Sequence, residues 1–84
     1  MSGVYFLEVI EAKKEKEKVC WFYEGKDLFS KEGSEGLVKG DEVVKELFEL
    51  LEKGFTVVAT SKDGKVTNFS SSKDLLVYCF SNQK

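Results

Sequence analysis

Lys, Asp, Glu, three Tyr and two Cys carry all the titratable side-chain chemistry of this 84-residue chain; it has no His and no Pro, and its 13 basic residues are all lysines. His is the usual general base at neutral pH and the commonest metal ligand. Arg grips carboxylates and phosphates with two parallel hydrogen bonds. Without them most catalytic constellations cannot be assembled, so no enzyme activity, cofactor or metal is expected. Cys20 and Cys79 are too few to hold zinc when no His can supplement them. They read as small thiols buried inside apolar segments, with a loop-closing disulfide as the alternative.

Three other patterns resemble sites and fall short. Gly33 to Asp41 places glycines ahead of a helix start, where backbone N–H groups can cradle phosphate. It lacks the Gly-Lys-Ser/Thr of a Walker loop, and Glu35 and Asp41 repel an anion. Glu8 and Glu24 can meet on adjacent strands, but a glycosidase pair needs a cleft. A sheet with one helix seldom leaves one in so short a chain. Glu42, Glu46, Glu49 and Glu52 make an acidic row on one helix, which reads as a solvated face diluted by Lys45 and Lys53.

Binding chemistry is richer. Lys13, Lys14, Lys16 and Lys18 lie beside Trp21, Phe22 and Tyr23. Aromatics on a sheet stack single-stranded bases while lysines follow the backbone. Lys13, Lys14, Lys16, Lys18, Trp21 and Tyr23 are therefore the candidates for an alternative function, binding single-stranded nucleic acid. Against it, Glu11, Glu15 and Glu17 cancel most of the local charge, and the net charge is −2. The Lys/Arg-Gly-aromatic core of an RNA-recognition strand is also absent.

These residues need elements to hold them. Val4 to Ile10 is β-branched and aromatic and reads as a strand with Val4, Phe6 and Ile10 on one face and Tyr5, Leu7 and Val9 on the other. Glu11 to Lys18 has no turn residue and reads as a mobile, projecting connection. Val19 to Tyr23 is the second strand. Gly25 to Gly40 is a long loop carrying two apolar pairs, Leu28-Phe29 and Leu37-Val38, that can dock back on the sheet. Asp41 to Lys53 is an amphipathic helix, with Val43, Val44, Leu47, Phe48, Leu50 and Leu51 on one stripe. Asp41 is its expected cap. Gly54 suits a left-handed stop, with Phe55 folding back. Asp63-Gly64 predicts a two-residue type I′ hairpin between Phe55–Lys62 and Lys65–Ser71, pairing Val58 with Phe69 and Thr60 with Thr67. Leu75 to Phe80 reads as a buried strand, although Ser71-Ser72-Lys73-Asp74 before it resembles a helix capping box. The expected fold is α+β: a mainly antiparallel sheet of order β-β-α-β-β-β in a single domain, with one amphipathic helix on one face.

That fold is short of cover. A 13-residue helix is about 20 Å long and hides one face of two or three strands, not two faces of five. Tyr5, Leu7 and Val9, joined by Leu76, Tyr78 and Phe80, then need another lid. The expectation is a small protein-interaction module that covers this patch by forming a homodimer, or by binding another protein. A regulatory or inhibitory role in a virus or its host fits such a module. The 25–40 loop is the competing lid. No apolar run approaches the ~20 residues of a membrane span, and the N-terminus lacks a signal-peptide pattern. A cytoplasmic protein with reduced thiols is expected. Lysine without arginine suits an AT-rich genome, small viral genomes included, or a thermophile.

Overall fold

The Lys/Glu block is strand, not a loose connection. A computed structural model, which describes residues 7–81, runs β1 (Leu7–Lys14) and β2 (Glu17–Gly25) through it as an antiparallel ribbon that closes with Lys14 opposite Glu17. Only Glu15 and Lys16 are left for the turn. Glu15 takes φ 54, the left-handed conformation that the first central position of a II′-like turn requires. The expected 25–40 loop is likewise structured. Leu28-Phe29 opens β3 (Leu28–Lys31) and Leu37-Val38 opens β4 (Leu37–Lys39), so both apolar pairs enter the sheet plane. α1 follows at Gly40–Glu52, then β5 (Thr56–Ser61), β6 (Val66–Phe69) and α2 (Ser72–Ser81). The fold is α+β, with one six-stranded antiparallel sheet of order β4-β3-β2-β1-β5-β6. The expected chain order gave way to β-β-β-β-α-β-β-α.

Two turns explain the missed strands. Lys26 and Asp27, at φ 55 and 64, join β2 to β3 in a type I′ geometry that neither residue announces. The double change Lys26→Asn with Asp27→Gly places the preferred turn residues there. It is expected to stabilise the chain by about 1 kcal/mol and to raise the melting temperature by about 4–8 °C; thermal unfolding followed by circular dichroism checks this.

The hairpin at Asp63-Gly64 forms with a longer turn than expected. Gly64 N–H donates to the Ser61 carbonyl at 3.0 Å, Ser61 N–H to that of Lys65 at 2.9 Å, and Gly64 alone has positive φ there. This is a three-residue loop with a glycine bulge. The register moves by one residue, so Phe69 pairs with Val57 and Thr67 with Ala59 rather than with Val58 and Thr60. A one-residue shift exchanges the faces of a strand, and it carries Phe69 into the core.

The segment 75–80 is helix. Ser71 Oγ accepts the Asp74 N–H at 3.3 Å, and Asp74 Oδ2 accepts the N–H and hydroxyl of Ser70 at 3.0 and 3.1 Å. The capping signal therefore decides over β-propensity. The Ser70 bonds hold the Asp74 carboxyl below its ordinary pKa. A lowered folded value means its contribution is complete above the ordinary carboxylate range and lost as pH falls through the folded value. Acidification below the ordinary carboxylate range is expected to loosen α2, and Asp74→Asn to flatten that pH dependence, read by far-ultraviolet circular dichroism.

Both helices lie on the same side of the sheet, where Trp21, Ile10, Ala59 and Phe29 are fully buried. Val43, Leu47, Leu50 and Leu51 of α1 and Leu75 of α2 close that core. Tyr23 meets Phe29 edge-on at 5.2 Å, and Tyr78 meets Phe69 at 5.3 Å. Lys31 Nζ, 2.8 Å from Glu46, ties β3 to α1 and lies over the Trp21 ring at 5.8 Å. α1 stops as its sequence implies: Gly54 has φ 99, and Phe55 N–H returns to the Leu50 carbonyl at 3.0 Å. Its start differs, since Lys39 occupies the cap position without a side-chain bond and Asp41 falls inside the first turn.

Candidate interaction surface

The other side of the sheet carries no helix, and no described element lies over it. Directly paired residues share a face. The register places Leu37 beside Ser30, Ser30 beside Phe22, Phe22 beside Val9, Val9 beside Thr60, and Thr60 beside Val66. One row thus crosses all six strands, about 24 Å at the usual strand spacing. Leu37 and Val66 at its ends are 55% and 54% exposed, and Phe22 and Val9 at its centre are 39% and 37% exposed. The next row runs Cys20, Glu11, Val58, Asn68, and beyond it Lys18 pairs with Lys13.

The polar groups of this face are mostly engaged. Glu11 stands 3.5 Å from Lys18 Nζ and accepts a weak bond from the Cys20 thiol at 3.8 Å. Glu24 accepts the Ser30 hydroxyl at 2.7 Å. Burial, then the nearby Glu32 and Glu11 charges, push the Cys20 thiol above its ordinary pKa. It is therefore protonated and a poor nucleophile at neutral pH. Cys20 on this face and Cys79 on α2 lie on opposite sides of the sheet, and both are free thiols. The disulfide alternative is thereby overturned.

The expected patch is divided. Tyr5 lies outside the described residues. Leu7 is only 1% exposed and belongs to the helix-side core. A register shift between Leu7 and Val9 inserts an extra residue, so Leu7 shares a side with Ile10 instead of Val9. Among the described residues of the expected set, Val9 alone sits on the open face. Leu76, Tyr78 and Phe80 are on α2, across the sheet from it. Tyr78 is half-buried against Phe69, whereas Leu76 and Phe80 point away from the core, 45% and 66% exposed. Phe22, Leu37, Val58 and Val66 join Val9 in their place. Phe22 was legible from its alternation with Trp21; Val66 required the hairpin register.

The nucleic-acid arrangement does not form as expected either. Trp21 is fully buried and Tyr23 half-buried on the helix side, so neither ring is presented for stacking. Lys14 Nζ is turned to the end of α1, where it donates to the Lys53 carbonyl at 2.6 Å. Lys13 and Lys18 remain on the open face, and Lys16 is in the turn. Glu8 lines a cavity with Tyr23, and Glu24 is bound to Ser30, so those two carboxylates serve different surroundings. Among the described residues no group of three Cys, Asp or Glu is placed to hold a metal ion, and no helix is long and apolar enough to cross a membrane. Comparison with protein-family models, with curated proteins and with solved structures gave no match to this chain.

Proposed function

We propose that this chain is a non-enzymatic interaction module that pairs with a second copy of itself through the open face of its sheet. The central row carries this reading. From β4 to β6 it runs apolar, hydroxyl, apolar, apolar, hydroxyl, apolar: Leu37, Ser30, Phe22, Val9, Thr60, Val66. A two-fold interface must be self-complementary, and this row is a palindrome. A two-fold axis along the strands between β1 and β2 lays Phe22 over Val9 of the other copy, Leu37 over Val66, and Ser30 over Thr60. Two sheets stacked this way pack about 10 Å apart. The face measures about 24 by 20 Å, so the pair buries about 1,000 Å², at the lower limit for a specific complex. Association in the micromolar range is expected.

The 25–40 segment was the rival lid, and its place in the plane of the sheet supports the reading. Isotope-filtered NOE spectra on a mixture of labelled and unlabelled chains test it. Contacts between the Phe22 ring of one copy and the Val9 methyls of another are expected. Contacts confined to Leu76, Val77 and Phe80 would place self-association on α2 and refute the open-face interface.

A further inference from the structure

Among the described residues the edge of the sheet at β6 has no further strand beside it, and its backbone groups have a definite phase. Ser61 N–H donates to the Lys65 carbonyl, so Ser61 and Lys65 form a bonded pair. Bonded and non-bonded pairs alternate along an antiparallel ladder. Thr67 opposite Ala59 and Phe69 opposite Val57 are therefore bonded inward, and the N–H and C=O of Val66 and Asn68 point off the edge. The opposite edge offers less: β4 has three residues and leads straight into α1.

Beside the β6 edge lies a groove of ≈ 600 Å³ between the strand and α2. Thr67 and Phe69 line it from the strand, and Val77 and Tyr78 from the helix. From Leu75 to Phe80 α2 is apolar all round. Leu75, Tyr78 and Cys79 face the core, while Leu76, Val77 and Phe80 form a second stripe outward, 45–66% exposed. A helix apolar on every side is ordinarily covered on every side. The charged residues around the groove are unequal. Asp74 is held by Ser70, whereas Lys73 is exposed and makes no ion pair among the described residues. Lys65, also exposed, precedes the strand.

We propose that the β6 edge and this groove together take one extended peptide segment of a partner protein, apolar at alternate positions and carrying carboxylates at its flanks. Its backbone continues the sheet by bonding Val66 and Asn68. Its apolar side chains, opposite Thr67, enter the groove between Phe69 and Val77. Its carboxylates meet Lys65 and Lys73. Strand addition of this kind draws affinity from main-chain bonds and selectivity from pockets for alternate side chains. The site is separate from the open face, because the edge groups lie in the plane of the sheet, so the test reads the same in monomer or dimer.

The probe is the blocked peptide Asp-Thr-Val-Thr-Val-Thr-Asp, whose Val and Asp side chains share one face, titrated into labelled protein and followed by amide shifts and hydrogen exchange. Saturable binding at about 0.1 mM is expected, with the Val66 and Asn68 amides shifted and slowed. N-methylation of the central Thr removes the peptide's donor to the edge, and Asn68→Pro removes a donor from the edge while leaving the β5 ladder intact. Each should weaken binding about tenfold or more, and Lys73→Glu should weaken it less. No binding at about 2 mM would overturn the proposal, as would equal affinity for the N-methylated peptide. That peptide decides the matter on the unaltered protein, even if the proline variant does not fold.

Discussion

Trp21→Ala is expected to remove about 3–5 kcal/mol of stability. Trp21 is fully buried on a central strand, in the core beneath α1. A chain of this size has about 4–13 kcal/mol in total, so the variant loses a large share of it. Its melting temperature, if a transition survives, should fall by about 15–30 °C. Trp21→Phe should cost less than half as much. It leaves most of the ring volume in place and removes an indole Nε1 that is buried without a hydrogen-bond partner. Urea titration of the three proteins measures both differences. A loss under about 1 kcal/mol for the alanine variant would contradict the assignment of Trp21 to the core.

Phe22, one residue along, should behave in the opposite way. In the single chain Phe22 is 39% exposed on the open face, so Phe22→Glu should leave the melting temperature of the monomer nearly unchanged. In the paired form the same carboxylate is shut against Val9 of the other copy with no partner, at a cost of several kcal/mol. Association should weaken about a hundredfold or more, read by light scattering across a dilution series. Val77→Glu is the control, because it places a carboxylate on α2, away from the open face, and should not change self-association. Equal weakening by both variants would argue for a general loss of solubility rather than a specific interface.

That contrast between neighbours was legible, because alternation along Val19 to Tyr23 already separates Trp21 from Phe22. The stop of α1 was equally legible: Gly54 is the residue that tolerates φ 99 most easily, and the apolar Phe55 follows it. Other features left no local signal. Glu15, Lys26 and Asp27 adopt positive φ although two of the three residue types rarely do, so the β1–β2 and β2–β3 turns looked like loose connection. At Asp63-Gly64 the turn was visible but its length was not, and the length sets which face Phe69 occupies. The bulge at Leu7–Val9 is invisible to a period-of-two reading, and it moved Leu7 from the expected patch into the core. In Leu75 to Phe80 the β-rich composition points to a strand, against the Ser71–Asp74 cap that the helix follows. A run apolar on all sides has no period with which to tell helix from strand.

The expected interaction site failed as a set for the same reasons. It combined three residues of the expected first strand, where a bulge separates Leu7 from Val9, with three from a segment whose element type was ambiguous. The open face itself follows from arithmetic that the sequence did allow: the helical cover is too small for the strands. The fold strengthens that shortage, since both helices occupy one side and the glycine-rich segment adds two strands instead of a lid.

Sedimentation equilibrium of the unaltered protein across the micromolar range tests the central claim most directly. The account predicts an apparent mass rising with concentration from the 9.5 kDa of one chain toward twice that value, with no larger species. A constant 9.5 kDa at every concentration would contradict self-pairing through the open face.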